Sequence, residues 1–341
     1  MIFKNIKIIT TIAIITIIEL TSSFMTVPNI YNNWFCLDFV KNIDKTKPQK
    51  YSIGDLPLVV WFKNESLPLS TINICSHHGS TLDSGKINKN GCLVCPYHGL
   101  NHDEKLTFGK TMIHQGKLWW SYDNHKKPPS IPFYNNKNFM KSELVIDMNA
   151  NVFDCIYNTM DINHAEFIHN NMFGFGNSNN PISNLKIYNY KNNKKLGLSF
   201  NYKSNTNLKH IKNELKIPNR NFNIYEYPYD IWNGINLNKK EKFYTCFSFL
   251  PLSNDKTRWF ITLSHNFWKS DIEKKIMEIA GQLILLQDKN QMKNQAKKSK
   301  LKSIWINQIK FNNEQQLDEI RNIIKYNNNN TLDLMPTLNL I

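Results

Sequence analysis

The sequence predicts an α+β protein with an all-β N-terminal domain and a second domain that combines strands with a long C-terminal helix. Short apolar runs such as 56–62, separated by Gly, Asn, Asp and Pro, indicate strands over residues 34–139. The proline-rich stretch 126–132 marks the exit from that domain, because proline disfavours regular structure. Strand-like runs return beyond it, and apolar residues at helical spacing predict a helix over 271–298.

Composition supports two globular domains. The chain has 341 residues, of which 41% are hydrophobic, enough to bury substantial cores. The net charge of +15 comes from scattered lysines with few arginines and no dense basic block. We therefore interpret it as a solvated surface that can dock an acidic partner, and not as a nucleic-acid site. Six cysteines in a chain of this length do not form a disulfide scaffold.

Residues 1–26 have the layout of a targeting segment. Lys4 and Lys7 precede the apolar run 8–18, and small polar residues follow at 21–23. The run is too short to span a bilayer core, which takes about 20 residues. The order of charge, apolar run and small residues is typical of a cleavable signal for plastid or endomembrane entry. The alternative is a buried first strand or helix in a soluble cytoplasmic protein.

The second domain opens with an apolar run at 144–148, and a helix is expected over 151–169. The Asn- and Gly-rich stretch 174–193 is interpreted as a loop. Strands are expected to follow, and the long helix then carries an apolar stripe. A further helix is expected over 314–326. The stripe consists of Ile276, Ile279, Ala280, Leu283 and Leu286.

Two cysteines and two histidines lie in two short pairs. Cys75-x-His77 is followed, after seventeen residues, by Cys95-x-x-His98. Such a set can hold a tetrahedral zinc ion, or a [2Fe–2S] cluster with one iron on thiolates and the other on imidazoles. Zinc loops usually repeat one ligand type, whereas each loop here supplies one Cys and one His. The pattern therefore favours the cluster.

These pairs resemble the Rieske domain in the form found in Rieske non-heme iron oxygenases. Members of that family carry Cys-Pro-Tyr-His-Gly in the second loop, as residues 95–99 do. The resemblance implies that the four paired residues hold one [2Fe–2S] cluster, with His78 and Cys92 as bystanders. Imidazole ligands raise the reduction potential from about −400 mV to between roughly −150 and +300 mV, so electrons flow into the cluster from a ferredoxin.

The family also carries Asp-x-x-His-x(4)-His on a helix, and Asp161, His164 and His169 have this spacing. The resemblance implies that the two His residues bind a mononuclear Fe(II). Two imidazoles and one carboxylate leave positions on the iron open for O2 and substrate. His164 and His169 are five residues apart and diverge by about 140° on a regular α-helix. Their convergence requires a π-turn or a break in the helix.

The third iron ligand is expected to be Asp288. Smaller members of the family carry Gln-Asp followed seven residues later by Gln, which corresponds to Gln287, Asp288 and Gln295. Asp154 and Glu166 are the alternative ligands. Without a metal, Asp288 would be an exposed charge on a Lys-rich helix.

The resemblance gives Asp161 a role in electron transfer instead. The corresponding residue of the family bridges a metal-bound His to a cluster His of the neighbouring subunit in a head-to-tail homotrimer. Asp161 would therefore link His164 of one chain to His98 of another. A carboxylate can accept both imidazole N–H groups.

The resemblance covers about residues 30–300 and implies four segments. The candidate targeting segment 1–26 is followed by a Rieske domain at 27–141. A catalytic domain at 142–310 is expected to have the helix-grip fold, in which an antiparallel sheet wraps around the long helix. Residues 311–341 form a C-terminal tail.

Within the family, the layout is similar to the group of pheophorbide a oxygenase, chlorophyllide a oxygenase and bacterial O-demethylases. This implies oxidation by O2 of a hydrophobic aromatic or polycyclic substrate, such as a tetrapyrrole of chlorophyll catabolism. No flavin or nicotinamide fingerprint is present, so a ferredoxin or flavin reductase must supply electrons. The alternatives are an O-demethylase or sterol desaturase, and a Rieske electron carrier without oxygenase activity.

Overall fold

The fold was analysed in a computed structural model of the protein, which describes residues 29–169, 182–189, 194–202, 220–236, 242–294 and 315–328. The candidate targeting segment 1–26 lies outside these residues, as does Gln295. No helix among the described residues is long and apolar enough to cross a membrane.

Three small antiparallel sheets form the first half of the described chain, with strand orders β1-β9-β8, β2-β3-β4 and β5-β6-β7. The apolar runs of the sequence become their buried strands, as in β3 and β9. The strands are β1 Phe35–Phe39, β2 Gln49–Ile53, β3 Leu56–Asn64, β4 Leu67–Ile72, β5 Lys86–Ile87, β6 Leu93–Val94, β7 Asn101–His102, β8 Lys110–His114 and β9 Lys117–Ser121. Short 3₁₀ turns lie at Asn29–Asn32, Val40–Asn42 and Glu104–Leu106.

A seven-stranded antiparallel sheet forms the second half, in the order β10-β16-β15-β14-β13-β12-β11. Neighbouring strands are mostly consecutive in sequence, so short connections build most of the sheet. The exception is β10, which pairs with the last strand, β16. The strands are β10 Met140–Met148, β11 Ile182–Asn189, β12 Lys195–Tyr202, β13 Arg220–Glu226, β14 Asp230–Asn236, β15 Lys242–Ser253 and β16 Lys256–His265.

The α-helices pack on this large sheet. They are α1 Val152–Met160, α2 His164–Ile168, α3 Asp271–Asn294 and α4 Gln315–Asn327. Helix α1 lies over the central strands β14 to β16, α3 lies over β10, and α4 lies over β12. The sheet and its helices therefore form the expected helix-grip arrangement.

Helix α3 approaches the sheet closely at Gly281. A Cβ atom built on Gly281 would lie 2.9 Å from a terminal methyl carbon of Leu144 on β10 and 2.9 Å from one of Leu263 on β16. Glycine has no Cβ, so it lets the helix backbone come this near. Asp288 lies two turns further along α3, so this close contact also sets how near Asp288 lies to the sheet.

The opposite face of the large sheet packs against the first half of the chain. The ring of Phe39 on β1 meets Phe260 on β16 edge-on, with centroids 5.7 Å apart. Phe35 and Tyr229 lie 4.9 Å apart between centroids. Both pairs belong to one continuous buried cluster that also includes residues of α1, α3 and α4. The two halves thus share one continuous hydrophobic cluster, and a smaller, separate cluster in the first half includes Cys75 and Cys95.

A buried polar network crosses the same interface. The ammonium group of Lys117 on β9 donates to Ser248 Oγ at 3.0 Å, and Ser248 donates to Asp230 Oδ1 at 2.6 Å. Burial raises the pKa of Asp230 to about 7, although the Ser248 hydrogen bond and the charge of Lys117 act in the opposite direction. Lys117 is almost completely buried and also lies over the ring of Phe39.

The structure agrees with the predicted α+β class and refines several predictions. Part of the expected loop at 174–193 is strand β11, which pairs with β12. The expected helix at 151–169 is two helices, α1 and α2. The apolar stripe of α3 faces away from the sheet, because Gly281 and its neighbours occupy the inner face. The domain bounds remain predictions, and β10 begins at Met140, two residues before the expected start.

Candidate metal centres

The two Cys/His pairs lie on loops that turn in the same way. In the first loop the amide of Gly79 donates to the carbonyl of Cys75 at 2.8 Å, and in the second the amide of Gly99 donates to the carbonyl of Cys95 at 3.1 Å. Gly79 and Gly99 have φ of 74° and 72°. This left-handed backbone is costly for other residues. Both glycines therefore allow the chain to reverse directly after the histidine.

The four paired residues meet at the tip of these loops. Cys75 and Cys95 are buried, whereas His77 and His98 are exposed, with ring centroids 4.9 Å apart. Burial opposes ionisation of Cys95, but hydrogen bonds from the amides of Tyr97 and His98 and from the side chains of Cys75 and Ser80 lower its pKa below the ordinary thiol value. A thiolate is the form that binds iron.

The two expected bystanders lie in different places. The ring of His78 is exposed, with its centroid 5.5 Å from that of His98. Cys92 is partly buried in the turn before β6, where its amide donates to Asn88 Oδ1. The donor chemistry of the loop tip, two buried thiols beside two exposed imidazoles, fits a [2Fe–2S] cluster.

A break in the chain separates the two helices that carry the second constellation. Helix α1 ends at Met160, and Asp161 adopts an extended conformation. The carboxylate of Asp161 accepts from the amide of Asn163 at 2.9 Å, and α2 then begins at His164. His169 follows the last helical residue and has non-helical dihedral angles. Because His169 has left the helix, its ring can meet that of His164, with centroids 5.3 Å apart.

Asp288 lies between these two imidazoles. Its Oδ1 atom is 3.3 Å from Nε2 of His169 and 3.6 Å from Nε2 of His164. One potential ligand atom from each of the three residues lies within 4.8 Å of the others. Asp288 is 6% exposed, although the chain reaches it from α3, more than a hundred residues after His169.

Hydrogen bonds fix the orientation of both rings. Nδ1 of His169 donates to Oε1 of Gln287 at 2.8 Å, and Nδ1 of His164 contacts the main-chain carbonyl of Asp161. Each ring therefore presents Nε2 to Asp288. Burial lowers the pKa of His169, but the contacts with Asp288 and Gln287 outweigh it and raise the pKa above the ordinary value. Convergent Nε2 atoms beside a buried carboxylate fit a two-His, one-carboxylate iron site.

Other buried polar residues of this domain were not predicted. Asn158 on α1 donates to Asp288 Oδ1 at 3.2 Å. Asn221 on β13 is 1% exposed, and within the described part of the chain neither atom of its amide has a hydrogen-bond partner. Asn233 on β14 has a buried Oδ1 without a partner. Asn is frequent throughout this chain, so its presence at a given position carried little signal.

A cavity of about 340 Å³ lies beside His164. Asp154 lines it, and its carboxylate accepts from the side chain of Asn151 at 2.8 Å. The structure thus gathers Asp288, and not Asp154, with the two imidazoles. The side chain of Glu166 lies outside what the structure describes. The lining residues are Asp154, Tyr157, Asn158, Asp161, His164, Phe167, Ile168 and Gln291.

Comparison with known proteins identifies the first domain and the fold. Residues 33–111 match the Rieske [2Fe-2S] domain model. The whole fold is similar to dicamba monooxygenase bound to dicamba, with a TM-score of 0.70 and 15% identity over 87% of this chain and 97% of that one. The chain therefore contains a Rieske [2Fe–2S] domain, and its overall fold is like that of dicamba monooxygenase. The predicted fold class and the predicted Rieske [2Fe–2S] domain are confirmed, and the predicted resemblance to Rieske oxygenases is supported.

Two curated relatives from Arabidopsis thaliana are chloroplastic proteins. The chain is 23% identical to pheophorbide a oxygenase over 177 residues, which is 42% of this chain and 33% of that protein. It is 24% identical to chlorophyllide a oxygenase over 166 residues, 44% of this chain and 31% of the relative. The matched part thus spans about a third of the length of each relative.

Proposed function

We propose that the protein is a Rieske oxygenase that uses O2 and external electrons to oxidise a hydrophobic aromatic or polycyclic substrate. The observation that carries the proposal is the convergence of His164, His169 and Asp288. A mononuclear Fe(II) held there would supply the chemistry of O2 activation. An electron carrier without oxygenase activity has no need of such a site, so the intact triad argues against that alternative.

We assign the cluster and iron ligands residue by residue. Cys75 and Cys95 would hold one iron of the [2Fe–2S] cluster, and His77 and His98 the other. His164, His169 and Asp288 would hold the mononuclear iron. Gln287 would keep the proton of the His169 ring on Nδ1, so that Nε2 is free to bind the metal. Such orienting hydrogen bonds are general around metal-bound imidazoles.

Electrons are proposed to enter from a ferredoxin or flavin reductase and to pass between subunits of a homotrimer. The exposed rings of His77 and His98 support this route, because a surface cluster can meet another protein. The cavity beside His164 could receive the cluster tip of a neighbouring chain. Asp161 lines that cavity. Its main-chain carbonyl contacts Nδ1 of His164, and its carboxylate would accept from His98 of the neighbouring chain, which would link the two imidazoles through Asp161.

The substrate is proposed to be a chlorophyll-derived tetrapyrrole. Two of the similar curated proteins are named for pheophorbide a and chlorophyllide a, which supports this class. The amide of Asn221 and Oδ1 of Asn233, which have no partner among the described residues, lie on the helix-facing side of the large sheet and would bind polar substituents of such a ring system. An O-demethylase is the second candidate and a sterol desaturase is the third; the fold shared with dicamba monooxygenase is compatible with oxygenase activity in each case. Plastid entry through residues 1–26 would agree with the tetrapyrrole proposal.

The test is an assay of the full chain reconstituted anaerobically with iron and sulfide. Pheophorbide a, chlorophyllide a, a sterol and vanillate are supplied with ferredoxin and its reductase, and substrate-dependent O2 uptake and oxidised product are measured. We expect a red-brown protein with a Rieske-type electron-paramagnetic signal on reduction, and turnover of one of the two tetrapyrroles. His169→Ala should abolish turnover and retain the signal.

The control pair examines the cluster assignment. Cys75→Ser should lose the electron-paramagnetic signal, whereas Cys92→Ser should keep it. A colourless protein that contains zinc would contradict the cluster. A reducible cluster without turnover of any substrate, in a protein whose iron content His169→Ala leaves unchanged, would favour the electron carrier.

A further inference from the structure

The outer face of α3 is an exposed stripe of aliphatic side chains. Its members recur every three or four residues, so they lie on one side of the helix and extend along about 21 Å. In the folded chain each remains about half exposed or more. The stripe consists of Ile272 at 74%, Ile276 at 50%, Ile279 at 47%, Leu283 at 50% and Leu286 at 47%.

The inner face of α3 already anchors the helix to the protein. Gly281 lies against the sheet, and Leu285, Asp288 and Met292 are buried. The stripe therefore makes no contribution to the core. Contiguous apolar surface of this kind usually marks a site of interaction.

Charge narrows the choice of partner. On a regular helix, successive residues are rotated by about 100°, so each side chain of α3 can be placed relative to the midline of the stripe. The charged residues of α3 within about 80° of that midline are Lys275 and Lys293, which lie on the same flank of the stripe. Lys275 also forms an ion pair with Glu278 at 3.3 Å, so that acid partly balances its charge. The four acids of α3 lie about 100° or more away, and the whole chain carries a net charge of +15.

Trp268 stands at the N-terminal end of the stripe. Its side chain is 48% exposed, and the backbone turns there with a φ of 48° before the helix begins. Tryptophan is favoured where apolar and aqueous phases meet, because its ring is largely apolar and its N–H remains solvated. An aliphatic face with flanking lysines and a terminal tryptophan is typical of helices that lie in a membrane interface.

We propose that α3 docks on an anionic lipid surface, with the aliphatic stripe in the boundary between headgroups and acyl chains. A second copy that docks through the same stripe fits less well, because it would bring the same lysines and no acid near the midline. The head-to-tail contact of the proposed homotrimer is placed instead at the cavity beside His164. A protein partner fits less well because the stripe itself has no aromatic or arginine side chain of the kind that anchors protein interfaces. A lysine flank, in contrast, complements anionic headgroups.

Docking would place the candidate iron site close to the lipid. Asp288 projects from the opposite side of the same helix, and a helix with its side chains is about 10 Å across. A lipid-soluble substrate could then reach the site from the membrane without crossing water. This consequence rests on the proposed function, whereas the lipid binding itself does not and is measured without turnover.

The experiment is flotation of the full metal-loaded chain with phosphatidylcholine vesicles that contain or lack phosphatidylglycerol. We expect binding to the anionic vesicles, which high salt weakens. The double variant Ile276→Ser/Leu283→Ser should bind at least about tenfold more weakly. Lys275→Gln/Lys293→Gln should weaken binding to anionic vesicles alone. Leu67→Ser/Leu106→Ser, which changes leucines of similar exposure in the first half, is the control and should bind normally.

Several results would overturn the proposal. One is a folded protein that does not float, or a serine double variant that floats as well as the parent. If light scattering showed a dimer that the serine variant converts to monomer, without vesicle binding, a second copy would cover the stripe. If the serine variant lowered the thermal midpoint without any vesicle binding, another part of this chain would cover it. Capture of ferredoxin through the stripe, again without vesicle binding, would assign it to an acidic protein.

Discussion

At the scale of single residues, Gln287 and Asp288 are neighbours that act on one imidazole from two sides. Gln287 accepts from Nδ1 of His169, and Asp288 lies beside Nε2 of the same ring. On a helix, adjacent side chains point about 100° apart, so the ring of His169 fits into the angle between them. The dipeptide thus both supplies a candidate ligand and sets the tautomer of another.

We predict that Gln287→Leu weakens iron binding about 10- to 100-fold, because Nδ1 of His169 loses the acceptor that fixes its ring. Iron titration of the metal-depleted protein measures this, and the cluster spectrum should be unchanged. Gln282→Leu removes an exposed amide from the same helix and is the control. Equal iron affinity in both variants would show that Gln287 does not orient the ring.

The family resemblance predicted the His pair and Asp288, but not the buried amides of the same domain. Metal ligands are few and recur at restricted spacings, so they stand out in one sequence. The contact of Asn158 with Asp288 depends on how α1 and α3 pack, and no local pattern encodes that contact. The unpaired amide of Asn221 is equally invisible, because its burial follows from its register in the sheet.

At the scale of elements, the position of Asp288 depends on how closely α3 lies to the sheet. Gly281 allows that approach, since a Cβ atom there would already be 2.9 Å from side-chain atoms of Leu144 and Leu263. Both neighbours are ends of flexible side chains, and alanine favours helix by about 1 kcal/mol over glycine, so Gly281→Ala should be nearly neutral. The side chains of Leu144 and Leu263 cannot move far enough to make room for a larger, branched side chain at this position.

We predict that Gly281→Val destabilises the protein by about 1–3 kcal/mol and lowers iron occupancy, because α3 must move away from the sheet. Urea unfolding and iron content measure the two effects. Ala280→Val adds a β-branched side chain one position away, on the flank of the exposed stripe, and should have little effect on either. Similar losses in both variants would show that helix propensity, and not the close approach, is responsible.

The helix break was predicted because two histidines five residues apart must reach one metal ion, and not from the helix propensity of the residues. Five-residue spacing of His164 and His169 required a π-turn or a break, and the structure has the break at Asp161–Asn163, with His169 beyond the end of α2. The direction of the α3 stripe could not be predicted, since periodicity shows that a helix has an apolar face but not what covers it. Strand β11 was missed because Asn-rich sequence disfavours strands, and pairing with β12 overrides this.

At the scale of the whole molecule, the buried network of Lys117, Ser248 and Asp230 joins the two halves. The pKa of Asp230 is raised by burial to about 7 in the folded protein, from an ordinary value of 3.8. The unfolded chain therefore releases this proton at lower pH than the folded one. The contribution of the Asp230 carboxyl to the unfolding free energy is therefore fully present below about pH 4, and it is lost as the pH rises to about 7.

We predict that Asp230→Asn flattens the pH dependence of the unfolding free energy between about pH 4 and 7, where the raised pKa accounts for on the order of 4 kcal/mol. Urea unfolding at a series of pH values measures the slope. Asp255→Asn changes an exposed carboxylate and should leave the slope unaltered. An unchanged slope in Asp230→Asn would show that the carboxyl titrates normally.

Electron transfer between subunits is also a property of the assembly. The contact with His164 comes from the main-chain carbonyl of Asp161, so Asp161→Asn should keep that ring in place while removing the charge of the carboxylate. We predict an oligomer with both metals loaded and a reducible cluster, but turnover lower by orders of magnitude. Single-turnover kinetics and native mass measure rate and assembly.

Asp154→Asn changes a second carboxylate of the same cavity, one that already binds Asn151, and should retain most turnover. A fully active monomer, or normal turnover of Asp161→Asn, would exclude the route through Asp161 between subunits.

The shared core also constrains how such a protein can be recombined. Phe35 and Phe39 belong to the first half of the chain, yet their rings complete the packing of Tyr229 and Phe260 in the second. A chimera that joins two proteins within the proline-rich stretch 126–132 would replace Phe35 and Phe39 and retain Tyr229 and Phe260. Viable grafts of a foreign Rieske domain onto this sheet should therefore need matched aromatic replacements on both sides of the junction.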